Sequence, residues 1–221
     1  MSPLAILGGT FDPVHFGHLR LAADVRNALA LDDVRLVPSG DPPHRDAPRA
    51  SAADRVAMLQ LAVAAFPGLA VDTREIARGG KSFTVDTLAD LRAEMPARPL
   101  ALLVGADAFQ GFPAWHRWRT LFDLAHIVVV PRPGVALERG LSDDLAAEWR
   151  ARRIDDPQGL RDRPAGTIYV QPVTAQPISS SFIRAKLAAG ASSVELAGLL
   201  PASVLAYIES NQLYRHVPHA D

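Results

Sequence analysis

Five consecutive apolar residues, Leu100-Ala101-Leu102-Leu103-Val104, constrain this chain most. No polar residue among them marks a wet face, as expected of a central strand covered on both sides. Similar short runs recur at Leu4–Leu7, Val34–Pro38, Ala70–Thr73, Ile127–Val130 and Thr167–Val170. Between them lie stretches patterned as helices: Gly17–Leu29, Ser51–Phe66, Thr84–Glu94, Ser179–Ala189 and Ala202–Ser210. Ser51 with Asp54 three residues on resembles a capping box. Gly190 suits the position after a helix end. Strands alternating with helices predict an α/β fold, a doubly wound parallel sheet flanked by helices, with a C-terminal helical portion. A chain of 221 residues, 48% of them hydrophobic, can bury one such core, so 1–221 is read as a single domain.

One segment, 131–166, is read as a surface insertion. It is polar and rich in Pro, Gly, Asp and Arg. Within it Leu141, Leu145 and Trp149 repeat every fourth residue. Ser142-Asp143-Asp144 opens this run, and Arg150, Arg152 and Arg153 close it. That predicts a short surface helix with charges matched to its dipole. Asp155–Pro164 reads as loop. Elsewhere the composition mainly excludes. The formal net charge of −1 gives no global attraction to nucleic acid. No apolar stretch approaches a membrane span. The N-terminus lacks the basic region of a signal peptide. Cysteine is absent, which removes disulfides, thiol nucleophiles and thiolate metal sites. The expectation is a cytoplasmic protein with neither nucleic acid nor membrane as partner.

The chemistry concentrates in five stretches. The first, Gly8-Gly9-Thr10-Phe11-Asp12-Pro13-Val14-His15-Phe16-Gly17-His18, joins the first strand to the first helix. Paired glycines let backbone approach a ligand closely. A helix N-terminus after a parallel strand is a ready anion site. It is neither a Walker A loop nor a Gly-x-Gly-x-x-Gly fingerprint. His15 and His18, three apart, can face the same anion, and imidazoles donate hydrogen bonds and can carry charge near neutral pH. Such groups suit stabilisation of negative charge on a phosphate. His15, His18 and Asp12 could also ligate zinc, but no further strong ligand is marked.

The second stretch, Pro42-Pro43-His44-Arg45, presents two cations on a stiffened loop, or is simply solvated. The third, Gly79–Leu88, places Phe83, Thr84 and Asp86 at the start of a helix, where Thr84 is the candidate cap. The fourth, Gly105–Trp118, follows the apolar strand at the end where open sheets bind ligands. Trp115 and Trp118 offer flat faces on which a pyridinium ring stacks well. Trp118 reads better as core. The fifth, Ile178-Ser179-Ser180-Ser181-Phe182-Ile183-Arg184, sets serines at a helix start and Arg184 four residues after Ser180, on the same face.

The opening stretch closely resembles the His-x-Gly-His signature of the nucleotidylyltransferase superfamily. Gly105-Ala106-Asp107…Trp115-His116-Arg117-Trp118 and Ser82-Phe83-Thr84-Val85-Asp86-Thr87-Leu88 narrow the resemblance to the bacterial nicotinate-nucleotide adenylyltransferases. It spans Leu4 to Tyr214 apart from 131–166. The resemblance implies a Rossmann-like fold and adenylyl transfer from ATP, carried with Mg2+, to nicotinate mononucleotide, a step of NAD biosynthesis. It implies catalytic roles for His15 and His18. It implies ATP contacts from Gly8, Gly9, Thr10, Phe11, His18, Gly105, Asp107, Ile178, Ser179, Ser180, Ser181 and Arg184. Nicotinate-mononucleotide contacts fall to His44, Arg45, Phe83, Thr84, Asp86 and Trp115. Arg45, Phe83 and Ser181 stand where the family commonly has Lys, Tyr and Thr. Leu199–Tyr214 reads as packing. Another acceptor of the same superfamily, nicotinamide mononucleotide or phosphopantetheine, is the alternative. A nucleotide-sensing module without catalysis is the rival from a different class.

Overall fold

A computed structural model describes residues 1–42, 47–131, 137–174 and 176–215. The chain runs β1 (Leu4–Gly9), α1 (Phe16–Ala28), β2 (Val34–Pro38), α2 (Ala52–Val63), β3 (Leu69–Val71), α3 (Arg74–Arg78) and α4 (Thr84–Glu94). It continues with β4 (Leu100–Gly105), α5 (Ala106–Gln110), α6 (Leu121–Leu124), β5 (His126–Val130), α7 (Asp143–Arg152), β6 (Arg153–Ile154) and β7 (Ile168–Val170). Three helices close it: α8 (Ser180–Ala188), α9 (Ser193–Leu196) and α10 (Ala202–Ser210). The seven strands form one sheet in the order β3-β2-β1-β4-β5-β7-β6. Every pairing is parallel. This is the expected Rossmann-like, doubly wound α/β architecture.

Side-chain alternation along the central strands builds two cores, one on each face. Ala5, Leu7, Leu103 and Val128 join Leu19, Met58 and Ile208 from α1, α2 and α10. Leu4, Ile6, Leu102 and Val129 join Leu88, Phe109 and Trp149 on the opposite face. Leu100–Val104 is buried at every residue, which is why that run carries no polar side chain. Trp118 is also core, at 7% exposure.

The described part of 131–166 contributes to these layers. Ser142 caps α7 by accepting from the Leu145 amide. Leu145 is fully buried and Trp149 nearly so. Arg153 and Ile154 then add an edge strand beside β7. The stretch read as loop holds a 3₁₀ turn over Pro157–Leu160, with Leu160 fully buried. A two-residue strand leaves no period to read in sequence. Helices α3, α5, α6 and α9, four or five residues each, span little more than one turn and repeat nothing a sequence pattern could show.

Candidate active site

The strand order reverses between β1 and β4, whose connections leave to opposite sides. In open α/β sheets ligands bind at that switch point, beyond the carboxyl ends of the strands. Gly8, one residue before the end of β1, and Gly105, the last of β4, are both exposed there. A Cβ built on either would meet nothing within 4 Å. The space above them is open to a ligand.

The turn after β1 is not made by its glycines. Gly8 and Gly9 stay in the strand, paired with Val37 and Pro38. Phe11 takes the left-handed conformation instead, φ 50°, and buries its ring. Gly9 is needed beneath that ring, since a Cβ there would sit 3.0 Å from it. The chain then enters α1 with His15 at the cap position. The rings of His15 and His18 stack, centroids 3.8 Å apart and planes 25° from parallel. Phe11 meets His18 edge-on at 4.9 Å. A Cβ at Gly17 would lie 2.9 Å from the His15 imidazole. The glycine between the histidines is therefore what lets the ring fold back.

His15 is only 4% exposed, and its Nδ1 has no hydrogen-bond partner. Burial lowers its pKa from 6.5 to about 4. The expectation of a charged imidazole at neutral pH fails at this position; desolvation keeps His15 neutral, able to donate and accept but not to act as a standing cation.

Asp12 is the hub beneath the histidines, a position the sequence marks only as a possible metal ligand. Its carboxylate accepts from the amides of Arg49 (2.8 Å) and Ala50 (3.1 Å) and from the Tyr214 hydroxyl (2.7 Å). Its backbone carbonyl accepts from Arg184 at 2.6 Å. Among the described residues no group of three or more His, Asp or Glu side chains could hold a metal ion.

The predicted α8 residues reach this loop. The Ser180 hydroxyl donates to the Pro13 carbonyl at 2.9 Å. Ser179 caps its own helix by accepting from the Phe182 amide, and Ser181 accepts from Arg184. The three hydroxyls are thus engaged within the protein. Ile178 lies just before this helix, its carbonyl facing Gly17. Arg184 keeps 27% of its side chain exposed. Thr10 is partly buried beside these groups.

A second cluster forms beside it. Thr84 does not cap α4: Phe83 occupies the cap position without a side-chain bond, and Thr84 is the first helical residue, with Asp86 in the first turn. Phe83 packs on the His116 ring at 4.5 Å. Trp115, half-buried, rests on Phe112 at 4.8 Å. Asp107, exposed, is the second residue of α5, two after Gly105. Ser82 accepts from the Gly40 amide at 2.8 Å, tying this cluster to the end of β2. Beneath it Glu75, 7% exposed, accepts from Thr87 at 2.7 Å. Burial raises its pKa, against hydrogen bonds from Thr87 and Ser82. His44 and Arg45 lie outside the described residues.

Arg55 joins the two clusters, and sequence reading missed it. It is 1% exposed. Its guanidinium donates to the carbonyls of Thr10 (2.9 Å), Ser39 (2.7 Å) and Gly40 (3.4 Å). The signal was available: Arg55 shares one helical face with buried Met58, Leu59 and Ala62, where a cation needs buried acceptors.

Fold and site together define a nucleotide-transferring class. The cytidylyltransferase-like family model matches residues 6–186, and the chain belongs to that family. Relatives named "Probable nicotinate-nucleotide adenylyltransferase" match nearly end to end. That of Methylococcus capsulatus is 48% identical over 212 residues, 96% of this chain and 99% of its own. That of Pseudomonas aeruginosa is 47% identical over 219 residues, 98% of each chain. The chain is a member of the nicotinate-nucleotide adenylyltransferase family. A solved nicotinic acid mononucleotide adenylyltransferase from Plasmodium falciparum, complexed with NaAD, superposes with TM-score 0.72 over 97% of this chain and 98% of that one. At 14% identity, that likeness concerns the fold.

Proposed function

We propose that this protein transfers the adenylyl group of ATP to nicotinate mononucleotide, releasing pyrophosphate and forming nicotinate adenine dinucleotide for NAD biosynthesis. The observation that carries the reading is the stacked His15–His18 pair at the switch point, beside the open backbone at Gly8 and Gly105. A phosphate oxygen of the mononucleotide attacks the α-phosphorus of ATP. The bond to the β-phosphate oxygen breaks, and pyrophosphate carries away the electron pair. The nucleophile is already an anion, so alignment and charge stabilisation carry the catalysis.

In this reading His18 and His15 present N–H donors to the α- and β-phosphates. Arg184 supplies lasting positive charge. The β1 and β4 ends and the start of α8 cradle the nucleotide by backbone. Trp115 stacks on the pyridine ring, with Phe83, Thr84 and Asp86 beside it, and His44 and Arg45 serve the mononucleotide phosphate. Magnesium enters as MgATP, part of the substrate, held by phosphates and water. No helix among the described residues is long and apolar enough to cross a membrane. Absent cysteine and MgATP use favour work in the cytoplasm.

The test is pyrophosphate release with MgATP and nicotinate or nicotinamide mononucleotide, compared by kcat/KM. Faster turnover of the nicotinate form is expected. Preference for the amide would keep the chemistry and overturn the acceptor. Turnover of phosphopantetheine alone would move the enzyme to another branch. Binding of ATP without any turnover would support a sensing module.

A further inference from the structure

The C-terminal segment Leu199–Tyr214 reads in sequence as packing, yet its last aromatic residue reaches the catalytic loop. After α10 the chain reverses through two left-handed residues, Gln212 at φ 54° and Tyr214 at φ 62°. Neither is glycine, so each conformation is held at a cost in backbone strain. The hook carries the Tyr214 hydroxyl 2.7 Å from Asp12 Oδ1, across 202 residues of sequence. Burial, reinforced by the bond to Asp12, raises the phenol's pKa, so the hydroxyl keeps its proton and donates. Asp12 lies three residues before His15. The same carboxylate takes the Arg49 and Ala50 amides, and its backbone carbonyl takes Arg184.

We infer that Tyr214 is a positioning residue for adenylyl transfer: its hydroxyl fixes the Asp12 carboxylate, which sets the histidine loop, the 47–50 chain and Arg184 in one register. The inference rests on the reading of this site as the adenylyl-transfer centre. Tyr214 touches no substrate in this account and acts only through Asp12.

A second tyrosine on the same segment supplies the control. The Tyr207 hydroxyl donates to Asp54 Oδ1 at 2.9 Å. It too is a phenol–carboxylate bond to the body of the protein, but its carboxylate belongs to the Ser51 cap of α2 and takes neither the Arg49 nor the Ala50 amide. Tyr214→Phe and Tyr207→Phe therefore each remove one phenol–carboxylate bond, the first to Asp12 and the second to Asp54. Tyr214→Phe should lower kcat about tenfold, short of the ~100-fold that a 1 Å misplacement costs, with both KM values within about twofold. Tyr207→Phe should keep wild-type kcat.

Hydrogen exchange gives a readout independent of turnover. The Arg49 and Ala50 amides should exchange faster in Tyr214→Phe and at the wild-type rate in Tyr207→Phe. Equal kcat in the two variants would overturn the inference. So would unchanged exchange at Arg49 and Ala50 in Tyr214→Phe, or a kcat loss that tracks thermal stability in both variants. A wild-type protein that turned over no substrate would refute the reaction, while the exchange result would still decide the tether.

Discussion

Replacing Arg55 by methionine tests how the two halves of the site are joined. The variant keeps an unbranched chain as far as the Nε position and removes a cation that is 1% exposed. Three carbonyls lose their donor: Thr10 at 2.9 Å, Ser39 at 2.7 Å and Gly40 at 3.4 Å. The two shorter bonds to a charged donor are worth roughly 1.5–3 kcal/mol each, and the third is weak. Against this, the variant escapes the cost of burying a cation, itself several kcal/mol. That cost shows in the lowered pKa of Arg55, where burial outweighs the favourable Asp12 charge. The carbonyls left facing an apolar chain retain the balance. Their burial leaves a net loss on the order of 3 kcal/mol.

For a chain of this length, about 2–4 °C of Tm accompany each kcal/mol, so Arg55→Met should melt roughly 6–12 °C below wild type. Thermal unfolding by circular dichroism gives the first number. Pyrophosphate release, measured well below both midpoints, gives the second. Because Arg55 braces Thr10 and Gly40 together, activity should fall further than the unfolded fraction explains. A Tm within about 2 °C of wild type would show that the buried guanidinium only breaks even. Full activity in the folded variant would show that the loops hold register without it.

His18→Ala should retain the fold and lose about 100-fold or more in kcat, the scale of one transition-state donor; a near-normal rate would remove His18 from the chemistry. Trp115→Ala should raise KM for nicotinate mononucleotide roughly 5–30-fold, a stack worth about 1–2 kcal/mol, with KM for ATP unchanged; a loss confined to ATP would overturn the stacking assignment. His15 makes stability depend on pH. The unfolded imidazole takes a proton near 6.5 and the folded one only near 4. Its contribution is whole above pH 6.5 and lost as pH falls toward 4, at about 1.4 kcal/mol per unit. His15→Gln should flatten the denaturant-measured slope over that window. His126, also lowered by burial, has the same sign but remains in both proteins; equal slopes would exclude His15 as the source.

Sequence periodicity located the six longer strands and the six longer helices, because each places several residues on a buried face. It could not find β6 or the four- and five-residue helices α3, α5, α6 and α9, which complete barely one period and so show no repeat. The site divides the same way. His15, His18 and Arg184 announce themselves by chemistry near a strand end, and the fold brings them together. Thr84 misled because a threonine before an apolar run looks like a cap; the chain enters α4 one residue earlier, at Phe83. Asp12 and Tyr214 were legible only as residue types. Their partnership spans 202 residues, and no local pattern encodes a contact at that separation.

The division of charge within the loop follows from packing. Two imidazoles with centroids 3.8 Å apart repel if both are protonated, and burial already opposes a proton on His15. A motif selected to supply two resting cations would keep the rings apart and wet. Here Gly17 removes the Cβ that would prevent the His15 ring from folding back. The stack therefore suits directional donors held in a dry wall rather than a pair of charges. Positive charge then has to come from a side chain that cannot lose its proton. Arg184 meets that need. It is anchored at 2.6 Å on the Asp12 carbonyl, yet part of its guanidinium side chain stays open to a ligand. In the adenylyl-transfer reading the histidines orient the reacting phosphates and the arginine neutralises them. Asp12 connects the two functions by bearing directly on the loop of one and the side chain of the other.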